Sequence, residues 1–488
     1  MNIKHSISRA RVLFQQGKYR ESSTICCKIL SQKPRLHDAL QIEGLNKQAL
    51  GDTLAAMLLF KKAIEVKPNM ASTYNNLGNA YLSTCEYNEA SKCFKKALKL
   101  LPSLSEAMNN LANCQVKMGD LTLAKENYKK AISLDIKNSQ YSFNFGVLLT
   151  DCGDFQEAQN YLSKSLELNK KNTSVYWYVF IINMYLQRYQ DALDIANLAI
   201  RSESLSDPEL CEILVGKAII FWLFSRYEET ALCLKLSETI YQYQNTSKNM
   251  ANMAIFHQLL QGLLVVYKTN KQLYQLPDGV EEKEIYFISE SHCLSPHGSI
   301  VKYKNEQLRV RSLFILGAKI FHMVADVDNK YQVALANLLE GLQPHSKVVL
   351  AFGEIDCRKD EGIFKYCVKY NKNYKNVIDD MLERYVEILY GIANSLRIEV
   401  ILYGVPAPHL FHVNQLPIEQ QNEFKDLILY FNQKLADYCN KYAITFLDVY
   451  QLTNCKGVSS EEHNFDPIHM KPNVVPTLFE QHLVENNN

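Results

Sequence analysis

The stretch ASTYNNLGNAYLSTCEYNEASKCFKKALKLLP, residues 71–102, decides how the first half of the chain folds. Tyr74, Leu77, Gly78 and Tyr81 recur at helical spacing, Ala90, Phe94 and Ala97 do so again after a short break, and Pro102 ends the unit. Shifting by 34 residues gives Met108, Leu111, Ala112, Gln115, Ala124, Tyr128, Ala131 and Ile136. A second shift gives Ser142, Phe145, Gly146, Leu149, Ala158, Leu162, Ser165 and Lys170, and a third gives Tyr176, Val179, Phe180, Ala192, Ala196 and Ala199. The backward shift gives Leu40, Gly44, Ala56, Phe60, Ala63 and Pro68. Two antiparallel helices approach closely only where Gly or Ala replaces a large side chain, while Tyr, Leu and Phe fill the adjoining layer. A self-similarity of this length means stacked two-helix units.

These residues resemble tetratricopeptide (TPR) repeats. The resemblance implies an all-α solenoid whose concave face binds a peptide or a partner protein. A weaker first copy covers about Ile3 to Leu36, with Ser22 and Cys26 at the packing positions, and reads as a terminal cap. Tyr227-Glu228-Glu229-Thr230 parallels Tyr87-Asn88-Glu89-Ala90, which extends a seventh unit over Cys211 to Gln244. The solenoid is therefore expected over residues 3–244, with a closing helix near Ser247 to Tyr267 and a polar turn, Leu276-Pro277-Asp278-Gly279, within a 245–282 linker. Asn75, Asn76, Asn79, Asn109, Asn110 and Asn113 fall on the first helices of their units. Their amides are candidates to grip a peptide backbone, with a solvated helix face as the plainer alternative.

Composition bounds the rest. Lys and Arg number 53 against 52 acids in 488 residues, so no global field attracts nucleic acid or an anionic membrane. The longest apolar runs, around Tyr176 to Leu186 and Ile213 to Phe224, are too short to span a bilayer. The first eighteen residues lack the apolar core of a signal peptide. Thirteen cysteines, mostly in helical patterns, fit reduced thiols and a cytoplasmic setting. No clustered Cys/His spacing suggests a metal, and no motif suggests a cofactor.

Beyond residue 283 the period changes. Apolar runs at Ile285–Ile288, Leu308–Leu316, Val348–Phe352, Val400–Tyr403 and Thr445–Val449 alternate with helical stretches near Lys330–Leu342, Tyr374–Ser395 and Ile418–Tyr442. This predicts a three-layer α/β domain, residues 283–488, with a parallel sheet covered on both faces and its chemistry at the carboxyl ends of the strands. Ser291, Gly317, Gly353 to Arg358, Gly404 to Pro408 and Asp466 to His469 all follow such ends.

Ser289-Glu290-Ser291 and Asp466-Pro467-Ile468-His469 together resemble the SGNH/GDSL hydrolase superfamily, whose sheet is of the flavodoxin-like kind. The resemblance implies Ser291 as nucleophile, His469 as general base, Asp466 as its orienting carboxylate, and Gly317 as an oxyanion donor in an esterase or acyltransferase. O-acylated carbohydrate is the substrate favoured by this likeness. The chemistry is intelligible in itself, since a serine hydroxyl needs an imidazole to take its proton and the imidazole needs a carboxylate to fix its tautomer. The third block departs from the family, reading Gly353-Glu354-Ile355-Asp356, with Ile355 where the superfamily has an asparagine. Gly353 of this block is a further candidate for the oxyanion or substrate site, and Arg358 is then a candidate substitute donor, or a fork for an anionic group of the substrate. A non-catalytic adaptor with a degenerate hydrolase domain is the rival expectation. A TPR-linked sugar transferase shares only the repeats, and some 200 residues are too few for its paired nucleotide-binding domains.

Overall fold

The computed structural model describes residues 3–241, 248–277 and 279–485. Gln244, Ser247 and Asp278, which bear on the expected seventh unit, closing helix and turn, lie outside them. The chain divides into two compact units, Met1–Leu149 with Gln156–Val175, and Thr150–Phe155 with Tyr176–Asn488.

The first unit is all helix, in antiparallel pairs such as Ala71–Ser83 with Tyr87–Leu100 and Ser105–Met118 with Leu121–Leu134. The reason for the small residues is direct. A Cβ added at Gly44 would lie 2.5 Å from the Phe60 ring, and one at Gly78 2.5 Å from the Phe94 ring. Gly146 repeats the arrangement with Leu162 at 2.7 Å, so each glycine admits a large side chain of the paired helix. Ala56, Phe60, Ala90, Phe94, Leu111 and Cys114 form one continuous core across successive pairs.

The second unit carries the remaining repeat-type helices and the sheet. Helices at Ser174–Tyr185, Tyr189–Arg201, Asp207–Leu223, Tyr227–Tyr241 and Lys248–Thr269 precede six strands. These are β1 (Lys283–Ser289), β2 (Ile300–Tyr303), β3 (Glu306–Phe314), β4 (Lys347–Ala351), β5 (Glu399–Tyr403) and β6 (Thr445–Leu447). Their order is β2-β3-β1-β4-β5-β6. All neighbours are parallel except β2, which pairs antiparallel with β3. The sheet is therefore mostly parallel, as expected, and its edge carries one antiparallel hairpin. Its two-residue turn, Lys304-Asn305, has φ of 46° and 64°, the mirror-image turn that matches strand twist, but without the Asn-Gly signature that flags it in a sequence. Successive residues Phe287 and Ile288 are both buried, as are Val348 to Leu350, so both faces of the sheet are covered.

The helices over Lys330–Glu340, Tyr374–Leu396 and Ile418–Lys441 agree with their expected spans, while Ile363–Tyr370 and Val474–Glu485 were not anticipated. The repeat-type helices are joined to the sheet by specific contacts. Trp222 Nε1 donates to the Leu294 carbonyl at 2.9 Å, Tyr185 Oη donates to that of Leu316 at 3.2 Å, and Phe256 meets Phe314 edge to face. Among the described residues no helix is long and apolar enough to cross a membrane.

Candidate active site

The chain leaves β1 to the β3 side and returns across it to β4, so the strand order reverses between β1 and β4. A crevice is expected outside the carboxyl ends at such a switch point. The segments that follow β1 and β4 are those of Ser291 and of Gly353 to Arg358.

Ser289 ties the end of β1 to its neighbouring strand. Its hydroxyl donates to the Ala351 carbonyl at 2.5 Å, bridging β1 to β4. Glu290 then turns the chain, and its Oε2 accepts both the Ser291 N–H at 2.6 Å and the Ser291 hydroxyl at 2.5 Å. The residue expected to be the nucleophile is thus 2% exposed and held by its neighbour's carboxylate.

The second motif closes on itself. Asp466 Oδ1 accepts the N–H groups of Ile468 at 2.7 Å and His469 at 2.8 Å, and Oδ2 lies 2.8 Å from His469 Nδ1. Burial works to raise the Asp466 carboxyl, and the hydrogen bonds from the His469 ring and the two backbone groups outweigh it, holding it at about 2. An ionised carboxylate only accepts, so the Nδ1 proton belongs to His469, and in the neutral imidazole Nε2 then carries the lone pair. The ring is 0% exposed, and among the described residues Nε2 has no hydrogen-bond partner.

His292 links the two motifs, a role that residue spacing could not reveal. Its Nε2 lies 3.1 Å from the Ile468 carbonyl, and its ring centroid is 5.5 Å from that of His469. The carbonyl only accepts, so His292 donates. Burial lowers its affinity for a second proton, against the pull of Glu354.

A cleft of about 850 Å³ opens beside these groups. Glu290, Ser291, Gly317, Ile355, Arg358 and Ile468 line it, whereas Asp466, His469 and Gly353 do not. Gly353 instead serves geometry: at φ 116° it turns the chain where a Cβ would lie 2.8 Å from the Phe431 ring. Asp356 accepts the N–H groups of Ile320 and Phe321 at 2.8 and 3.0 Å, fixing the loop after β3 to the loop after β4. Arg358 is already engaged. Its Nε lies 3.0 Å from both Glu354 oxygens, and its other guanidinium nitrogens reach Glu354 at 2.8 Å and Glu361 at 3.2 Å. Burial works to raise Glu354, and Arg358 together with His292 and His469 more than offsets it, lowering that carboxyl.

In the first unit the expected groove amides form a lateral chain. Asn110 donates to Asn75 at 3.2 Å, Asn109 to Asn110 at 3.2 Å, and Asn144 to Asn109 at 3.0 Å. Asn75 and Asn109 are buried, Asn79 is half-buried, and Asn113 accepts from Tyr128 Oη at 2.5 Å. The structure therefore spends much of this amide capacity between neighbouring repeats. Among the described residues no group of three or more His, Cys, Asp or Glu could hold a metal ion.

Sequence models described as tetratricopeptide repeats match residues 70–137 and 139–172. The first part of the chain consists of such repeats. Similar solved structures include one of pilF from Pseudomonas aeruginosa, 19% identical, covering 42% of this chain and 93% of that one with a TM-score of 0.38. YrrB, titled a TPR protein with an unusual peptide-binding site, is 21% identical over 36% of this chain and 91% of its own, TM-score 0.31. A tetratricopeptide repeat protein from Parabacteroides merdae is 13% identical over 53% and 98%, TM-score 0.40. No curated protein matches the sequence.

Proposed function

We propose that this protein is a serine esterase or O-acyltransferase of the SGNH kind whose tetratricopeptide repeats recruit a protein or peptide. One observation supports the catalytic reading above the others. His469 is fully buried, fixed by Asp466 in the tautomer a base requires, and its Nε2 is unpaired among the described residues. A buried nitrogen left without a partner costs about 1–3 kcal/mol, a cost a serine hydroxyl rotated onto it would remove. In this reading Ser291 Oγ leaves Glu290, passes its proton to His469 Nε2 and attacks an ester carbonyl, and the ester C–O bond then breaks as the alcohol departs with the proton returned by His469. The acyl-enzyme releases its acyl group to water or to a hydroxyl, a sugar hydroxyl being the acceptor we favour. Gly317 supplies a backbone N–H toward the oxyanion, and Arg358 holds the loop of the third block rather than the charge. The repeats contribute recognition through the faces that carry Asn75, Asn79, Asn109 and Asn113.

A second reading, a non-catalytic adaptor, draws on the Ser291–Glu290 hydrogen bond and on Ile355. A fluorophosphonate probe separates the two. The hydrolase reading expects covalent labelling of Ser291 that disappears in Ser291→Ala, and absence of labelling in the folded wild type from about pH 6 to 9 would overturn it.

A further inference from the structure

Ile355 leaves the site one oxyanion donor short, since its side chain has nothing to donate where the superfamily has an asparagine amide. The cations of the cleft do not fill the gap. Arg358 binds Glu354 and Glu361, Lys319 lies 3.5 Å from Glu361, and Lys359 lies 2.7 Å from Asp360. The side of the cleft next to Gly317 carries an uncharged donor instead. Tyr331 lines the same space as Ser291 and Gly317. Gly317 has φ 74°, and a Cβ built on it would lie 3.4 Å from Tyr331 Oη, so the phenol hydroxyl stands beside the glycine.

Local sequence fixes that phenol. Asn329 caps the helix Lys330–Glu340: its Oδ1 accepts the N–H groups of Tyr331 at 3.0 Å and Gln332 at 3.2 Å, and Gln332 Oε1 accepts the Asn329 N–H at 3.2 Å. Asn329 Nδ2 donates to the His322 carbonyl at 2.9 Å, tying this first turn to the segment after β3. The His322 ring then stacks on the Tyr331 ring at 4.2 Å and 10°. Burial raises the Tyr331 phenol against the pull of Lys330, so at neutral pH it keeps its proton and can donate.

A second tyrosine aims the Gly317 N–H. Tyr185 Oη donates to the Leu316 carbonyl at 3.2 Å, and in a planar trans peptide the carbonyl and the following N–H point in opposite directions. The Gly317 N–H therefore points away from Tyr185, and among the described residues it donates to no backbone carbonyl. Tyr185 ends the repeat-type helix Ser174–Tyr185, which also brings Trp177 to the cleft, as Lys248–Thr269 brings Met253 and Phe256.

We infer that the Tyr331 hydroxyl is the second oxyanion donor of this site, acting beside the Gly317 N–H in place of the amide that Ile355 lacks. The inference rests on the hydrolase reading. As the bond from Ser291 Oγ to the carbonyl carbon forms and the Oγ proton passes to His469 Nε2, the carbonyl π pair moves onto oxygen. Tyr331 donates a hydrogen bond to that oxygen and keeps its proton, a contact strongest in the transition state. The pair returns to the carbonyl as the alcohol leaves with the proton from His469.

The test uses the full-length protein. Tyr331→Phe removes one oxygen and keeps the ring that stacks on His322. On p-nitrophenyl acetate it should lower kcat and kcat/KM together by about a hundredfold to a thousandfold, with KM changed less than about twofold. A trifluoromethyl ketone, to which Ser291 Oγ adds to leave a stable oxyanion, should bind the variant more weakly by a similar factor. Binding of the intact ester to Ser291→Ala should not change when Tyr331→Phe is added. A loss confined to KM, or unchanged kcat and ketone affinity in Tyr331→Phe, would overturn the inference and leave the hydrolase. Absence of Ser291-dependent turnover and of ketone binding in the wild type would overturn the hydrolase reading, and the inference with it.

Discussion

Two glycines, one in each unit, face a phenylalanine ring. Gly78 sits in a helix, 2.5 Å in Cβ terms from Phe94, with a backbone any L residue adopts. Gly353 sits at the end of β4, 2.8 Å from Phe431, with φ 116°. The first glycine answers a packing demand that recurs every 34 residues and can be met by alanine, as at Ala112. The second answers a turn that occurs once and requires glycine twice over, for space and for conformation. The repeats are thus specified by neighbours in sequence, the α/β unit by encounters between distant segments.

The largest expected effect breaks that second kind of encounter. A fragment of residues 283–488 loses Trp222, Tyr185 and Phe256, which contact Leu294, Leu316 and Phe314 of the sheet layer. It should lack a cooperative unfolding transition and bind a hydrophobic dye, while a fragment of residues 176–488 should unfold cooperatively. Cooperative unfolding of the shorter fragment would restore a boundary near residue 282. Within the site, His469→Ala should lower ester turnover by about a thousandfold and Asp466→Asn by less, neither lowering the residual turnover of Ser291→Ala further. Additive losses would mean that the three do not act as a unit.

Acid should separate the two units next. Burial lowers His297 to about 4, and Ser312 donates its N–H to His297 Nδ1 at 3.2 Å. The folded imidazole resists protonation relative to the unfolded one, so this stabilisation is complete above about pH 6.5 and declines as pH falls toward 4. The loss is about 3 kcal/mol from this group. Denaturant titrations of 176–488 should show it, and His297→Gln should flatten the dependence. An unchanged slope would remove His297 as its source. The two glycines come after: Gly353→Ala should cost about 1–3 kcal/mol or more through strain and contact, and Gly78→Ala less because its helical backbone suits an L residue and only the contact with Phe94 is added. Equal costs would erase the contrast drawn above. Smallest is Asn109→Ala, about 1 kcal/mol in stability, since among the described residues its amide bonds only Asn110 beside it and Asn144 of the next repeat.

How much was legible follows from the same contrast. Gly44, Gly78 and Gly146 with Phe60, Phe94 and Leu162 could be paired from spacing alone, because helical period and a fixed repeat determine who meets whom. The strands were legible as apolar runs, and Asp466 with His469 as an i,i+3 pair on one turn. β2 was not, because its turn lacks glycine. The bonds of Ser291 to Glu290, of His292 to Ile468 and of Arg358 to Glu354 were also not, because a side chain with two possible partners is assigned by orientation.

The sequence by itself determined the repeated helices, the change of period near residue 283, the sheet that follows and the strand ends at which polar residues gather. These depend on local periodicity and on burial, which a linear pattern carries. Only the tertiary structure decided that late repeat-type helices wall the cleft beside Ser291, that its cations are already paired, and that Asn75 and Asn109 bond to other amides. Hydrogen bonds and ion pairs are made at about 3 Å, often between groups far apart in the chain, and no local pattern encodes that choice.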